Sequence, residues 1–136
     1  MNTAPCSGQI KYLIAIKEIA DSGEPVRCVS ISRHLGVSRP SVSKMLRGLV
    51  NKGYVHDDFC SNVRLTADGR RAVEEIFSCF SEVYTFFHKF LKLPRDEAHE
   101  QAVTFITTFP QDTCERLSVI VERTVEKRNT AKEAVS

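Results

Sequence analysis

The sequence has no apolar run approaching the ~18 residues that cross a bilayer, so a helical membrane span is excluded. Its first residues, Met1 to Lys11, do not set a basic region before an apolar stretch, and no signal peptide is expected. The expectation is a cytoplasmic chain with no membrane partner. No C-x-x-C occurs, and the five cysteines (Cys6, Cys28, Cys60, Cys79, Cys114) are odd in number and widely spaced. That argues against a disulfide framework or structural zinc and for reduced thiols, some serving as small core residues. A Gly-rich phosphate loop, a nucleophile elbow and a His/acid cluster at catalytic spacing are all missing, so an enzyme is not expected.

The most informative absence is of acid. From Pro25 to His56 there is no Asp or Glu, while Arg27, Arg33, Arg39, Lys44, Arg47 and Lys52 give the stretch a charge of +6. The whole chain carries only +2, which leaves −4 for the remainder. A basic block on a near-neutral protein is the footprint of a polyanion-binding face. Its weight depends on where the charges sit.

What is present reads as a folded, mainly α chain. A length of 136 residues suits one compact domain, or a small binding domain with a helical extension. The hydrophobic share of 42% and charged share of 26% are ordinary for a globular protein. Ile10, Leu13, Ile14, Ile16 and Ile19 predict a first helix from about Gly8 to Asp21. The turn formers from Asp21 to Pro25 end it, and a short extended piece follows over Val26 to Cys28. A second short helix, from about Val29, stops at Gly36, which readily takes the left-handed conformation. Ser38 is a good N-cap for a third helix, and Pro40 falls in the first turn, where its missing N–H costs nothing. That helix runs to about Lys52 and buries Val42, Met45, Leu46, Leu49 and Val50.

Tyr54 to His56 and Val63 to Leu65 predict two short strands around a polar hairpin tip, residues 57–62. Thr66 opens a long helix with apolar residues from Val73 to Leu91. Pro94 separates it from a fifth helix, Arg95 to Thr108, and Pro110 starts a sixth. The tail from Lys127 is polar and expected to fray. The implied division is residues 1–70 as a winged helix-turn-helix and residues 71–136 as a helical dimerisation region.

Two helices joined by a Gly-containing turn and followed by a hairpin form a winged helix-turn-helix, whose third helix enters the major groove of double-stranded DNA. Arg39 and Lys44 can donate to guanine O6/N7 or to phosphate, Ser41 and Ser43 to bases or backbone, and Pro40 can meet a thymine methyl. Arg33, Arg47 and Lys52 suit phosphate contacts, which fix register without reading sequence. Ser38 completes this surface. On the wing, Ser61, Asn62 and Arg64 are the candidates, and Asp57 and Asp58 are expected to turn away from DNA.

The aromatic stripe of Phe77, Phe80, Tyr84, Phe87 and Phe90 is too wide for a lone surface helix. A homodimer is expected to cover it. A two-fold dimer would set two recognition helices ~34 Å apart on a palindrome.

The stretch Ile31-Ser-Arg-His-Leu-Gly-Val-Ser-Arg-Pro-Ser-Val-Ser-Lys-Met-Leu46, then Leu49 to Val55 and Leu65-Thr-Ala-Asp-Gly69, resembles the diphtheria-toxin-repressor family of metal-dependent regulators. The closer likeness is to its short manganese-responsive branch. Leu93 to Ala102 and Glu115-Arg-Leu117 fit the same layout. The resemblance implies a repressor fold and, on the first, fourth and fifth helices, ligands to Mn(II) or Fe(II). At the matching positions this chain reads Lys11, Ile14, Phe80, Tyr84 and Val103 to Thr108, and only His99 matches a ligand of some members. The expectation is a regulator with its family metal ligands largely missing. Cys79, Glu82, His88 and Cys114 are the residues from which a different metal site could be built. Three other readings stay open: a small hydrophobic effector held among Phe80, Tyr84, Phe87 and Phe105, a thiol switch at Cys60 or Cys79, and a protein-docking winged helix.

Overall fold

The computed structural model describes residues 4–135. The described chain is helical with one small β element: α1 (Ser7–Asp21), α2 (Cys28–Leu35), α3 (Arg39–Asn51), α4 (Ala67–Thr85), a π-helical turn (Phe86–Phe90), α5 (Arg95–Thr108) and α6 (Gln111–Val135). It divides into two compact units, one ending at Ile76 and the other starting at Phe77. Among the described residues no helix is long and apolar enough to cross a membrane.

The first unit closes around one core. Tyr12, Leu13, Ile16 and Ile19 of α1 meet Ile31 of α2 and Val42, Leu46 and Leu49 of α3. Local chemistry fixes the turns between these helices. Gly36 takes φ 67° at the C-cap of α2, and Val37 N–H bonds back to the Ser32 carbonyl at 3.1 Å. Ser38 then caps α3, its Oγ accepting from Ser41 N–H at 3.2 Å. Gln9 turns back to accept from Cys6 N–H at 3.0 Å, closing the start of α1.

The wing differs from the two strands expected. Pairing reduces to one antiparallel bridge, Val55 with Leu65, extended by His56 N–H to the Arg64 carbonyl at 2.9 Å. Val63 N–H instead reaches the Val26 carbonyl at 2.8 Å, so the extended piece before α2 takes the place a longer ladder would need. The tip is not wholly polar either. Phe59 is only 5% exposed and belongs to the core with Val55 and Val63. Burying that ring folds the tip onto the domain and shortens the pairing.

In the second unit, Ala98 and Ala102 of α5 are fully buried, and small side chains let α5 lie close to the π-helical turn and to α6. The apolar spacing predicts a fourth helix that stays α-helical through Leu91. It widens after Thr85, with Leu91 N–H reaching the Phe86 carbonyl at 3.0 Å, five residues back. Lys92 follows at φ 63°, a left-handed residue that turns the chain toward α5. The expected fraying from Lys127 does not occur, since α6 continues to Val135. Glu, Lys, Arg and Ala dominate that stretch and are good helix formers, and Arg128 lies 4.6 Å over the Phe90 ring.

Candidate nucleic-acid interface

The face of α3 away from the core carries Arg39, Pro40, Ser41, Ser43, Lys44 and Arg47, with the capping Ser38 beside them. Val42, Leu46 and Leu49 are fully buried on the opposite side, which fixes the helix's rotation about its axis. Neither α2 nor α3 has an acidic residue in its first turn, whereas α4, α5 and α6 carry Asp68, Asp96 with Glu97, and Asp112 there. The N-termini of α2 and α3 therefore keep their partial positive charge uncompensated, as an anion-binding end requires.

The basic residues fall into two groups. Arg47 Nη1 bonds Asp57 Oδ1 at 2.7 Å, and its guanidinium lies 4.9 Å from the Phe59 ring centroid. Arg64 Nη2 donates to both carboxylate oxygens of Asp58 at 2.7 Å. Arg33 sits 3.6 Å from Glu24, and Lys52 Nζ donates to the Ala4 carbonyl at 2.9 Å. Arg39 and Lys44 have no ion-pair partner among the described residues. Asp57 and Asp58 thus face Arg47 and Arg64. The hydrogen bond from Arg64 holds the Asp58 carboxyl below its ordinary range. Ser61 and Asn62 are exposed on the wing. The signal that sequence reasoning passed over is positional: the acid-free stretch ends at His56, and two carboxylates follow at once.

In the second unit, Phe80 is 4% exposed, its ring packed on Phe77, Tyr84 and His99 of its own chain. A ring covered in this way is not presented to another chain, which corrects its place in the expected interface. Phe77, Tyr84, Phe87 and Phe90 are half-buried. The more open apolar groups are Leu91, Phe109, Val119 and Ile120. A groove of about 370 Å³ runs beside the Phe87, Phe105 and Phe109 rings, with Glu97 and Glu100 on its rim.

The residues at the family's ligand positions do not fit a divalent cation. Ile14 and Phe80 are buried hydrocarbon, and Lys11 is an exposed cation. Thr107 donates its hydroxyl to the Val103 carbonyl at 2.8 Å. His99 meets the Phe80 ring edge-on at 5.2 Å. Mn(II) and Fe(II) call for carboxylate and imidazole donors, which these side chains do not supply as a set. The alternative set does not converge either. His88 Nδ1 lies 2.9 Å from the Leu93 carbonyl, with its ring stacked on Tyr84. Cys79 and Cys114 do meet, the first donating its S–H to the second. Burial, then Cys114, pushes the Cys79 thiol up to about 12. Among the described residues no group of three or more His, Cys, Asp or Glu is placed to hold a metal ion.

Helix, turn, capped helix and short wing around one core define a winged helix-turn-helix. Residues 10–58 match the family described as "Iron dependent repressor, N-terminal DNA binding domain". That segment is similar to this family's DNA-binding domain, and the match covers less than half of the chain. An uncharacterised HTH-type transcriptional regulator of Methanocaldococcus jannaschii is 23% identical over 109 residues, covering 80% of this chain and 87% of that one. The solved manganese regulator SloR is 25% identical with a TM-score of 0.70, covering 84% of this chain and 53% of that one. A hypothetical protein of Sulfolobus solfataricus shares the fold at 21% identity and a TM-score of 0.58, covering 88% of this chain and 91% of that one. The chain thus spans about half the length of the solved manganese regulator.

Proposed function

We propose that this chain is a sequence-specific double-stranded DNA-binding transcriptional regulator, acting as a cytoplasmic repressor and as a homodimer on a palindromic operator. Residues 1–70 bind DNA and residues 71–136 form the dimerising part. The observation that carries the reading is the Ser38-capped start of α3. It exposes Arg39, Pro40, Ser41, Ser43 and Lys44 from a helix end without acidic residues, and its two cations have no ion-pair partners among the described residues. Arg33, Arg47, Lys52, Ser61, Asn62 and Arg64 surround that end as backbone contacts. Dimerisation is supported by the exposed apolar groups of the second unit, with Phe77, Tyr84, Phe87 and Phe90 half-buried in the same unit.

The metal switch of the solved manganese regulators is not carried over, because the donor set does not fit, and His99 alone is no site. The groove beside Phe87, Phe105 and Phe109, which Glu97, Glu100, Gln101 and Thr104 also line, supports a second reading of the effector end, a small molecule in place of a metal. The test is selection of duplexes from a random pool by the purified chain, repeated with chelator, with Mn(II) and with Fe(II). Enrichment of one palindromic motif, unchanged by chelator or metal and lost in Arg39→Ala/Lys44→Ala, is the expected result. Binding to no duplex at low salt would favour a protein-docking winged helix instead.

A further inference from the structure

The cations around the start of α3 divide into those already engaged and those that are not. Arg33, Arg47 and Arg64 face Glu24, Asp57 and Asp58, and Lys52 donates to a carbonyl. Arg39 and Lys44 have no such partner among the described residues. The two shortest of these pairs use the adjacent carboxylates of the wing tip.

We infer that Asp57 and Asp58 are intramolecular phosphate mimics: they occupy Arg47 on the groove-reading helix and Arg64 on the wing, and so reduce the chain's sequence-independent affinity for DNA. The inference rests on the reading of α3 as the DNA-reading helix. A carboxylate and a phosphate offer a guanidinium the same pair of acceptor oxygens, so one can replace the other without rebuilding the site. The pairs are exposed, with the Arg47 and Asp57 side chains at 57% and 80%. An exposed pair is weak enough for a phosphate to displace. Phe59 meanwhile anchors the wing in the core and holds the Arg47 guanidinium over its ring. The arginine is thus kept in place while its charge is answered.

The consequence is thermodynamic. DNA binding by cations gains from release of condensed counterions, about 0.9 of an ion per phosphate neutralised. An arginine that must first give up a carboxylate takes an ion from solution as it releases one from DNA, and its share of the gain largely cancels. Base contacts are untouched. The wing carboxylates therefore lower affinity for all duplexes by the same factor and leave discrimination between them to α3. A chain of this kind dwells more briefly on unselected DNA.

The experiment compares the wild-type chain with Asp57→Asn, Asp58→Asn, the double variant, Arg47→Gln and Asp57→Asn/Arg47→Gln, so that the Asp57 effect is read with and without Arg47. Binding is measured to a mixed-sequence 30-base-pair duplex and to the duplex enriched in the pool selection, across a series of salt concentrations. Asp21→Asn, an exposed acid paired with Lys17, controls for net charge alone. Each single wing variant is expected to bind both duplexes about 2- to 5-fold more tightly at low salt, with a salt slope steeper by about 1. The ratio between the duplexes should stay constant, and the Asp57 effect should vanish once Arg47 is replaced. An Asp57 effect that persists with Arg47→Gln, or that Asp21→Asn matches, would overturn the inference. So would weaker binding by the wing variants, or a change confined to the enriched duplex. If neither the wild type nor the double variant binds any duplex, the DNA-binding reading fails and this inference with it.

Discussion

Gly69 of α4 lies against the Tyr54 carbonyl so closely that no Cβ fits between them. The contact seats the start of α4 on the wing. Thr66 completes it, donating its hydroxyl to the Gly53 carbonyl at 2.6 Å and accepting from Gly69 N–H at 3.0 Å. Gly69→Ala therefore has to move backbone rather than a pliable side chain. Overpacking of this kind costs about 1–3 kcal/mol. The expected outcome is a lower urea midpoint and a Tm several degrees down, and an unchanged midpoint would show that the contact yields freely.

Ser38 allows a cleaner separation of stability from binding. Its Oγ satisfies the Ser41 N–H at the first turn of α3. Ser38→Ala should cost about 1 kcal/mol and Ser38→Gly only a few tenths, because glycine leaves the helix end open to water. Chemical denaturation of both variants reads this difference. A loss of DNA affinity equal in the two would assign the hydroxyl a contact with DNA in addition to its capping role.

What can be read from the sequence follows the range of the interactions. Gly36, Ser38 and Pro40 act on their own neighbours, so the turn and the start of α3 are legible. The inward stripe Val42, Leu46 and Leu49 is legible because period and helix agree. Phe59 is not. Nothing in its neighbours along the chain distinguishes a ring left in solvent at a hairpin tip from one that joins the core with Leu46, Val55 and Val63. The widening at Phe86 is hidden for another reason: spacings of three and four mark a helix but do not register a local step to five. Arg47 and Arg64 can be placed on the right surface, yet their partners lie 10 and 6 residues away, and only the folded wing brings them together.

Stability should depend on pH through Glu82. Burial, and then the nearby Glu122 carboxylate, raises its pKa above the ordinary 4.5. Both causes disfavour the charged form, so the folded state holds its proton longer than the unfolded state does. The contribution to stability is fully present below about pH 4.5 and is lost as pH rises through the raised value. Glu82→Gln removes the proton in question. The variant should match the wild type at pH 4 and exceed it in urea midpoint at pH 7. Equal midpoints at both would mean that neither burial nor the Glu122 carboxylate disfavours the charged form of Glu82.

The cysteines should divide sharply in reactivity. The thiolate is the nucleophile, and a thiol pushed up to about 12, as Cys79 is, stays almost wholly protonated at pH 8. Burial also raises Cys114, which accepts the Cys79 hydrogen bond. Cys6 and Cys60 are exposed. Iodoacetamide at pH 8, followed by mass spectrometry, should label Cys6 and Cys60 within the first time points and reach Cys79 and Cys114 only after urea is added. The same division bears on the thiol-switch reading. If peroxide alters DNA binding, Cys60→Ser should abolish the response and Cys79→Ser should leave it intact. The reverse pattern would require the second unit to open and expose Cys79 during function, since its folded environment suppresses the reactive form.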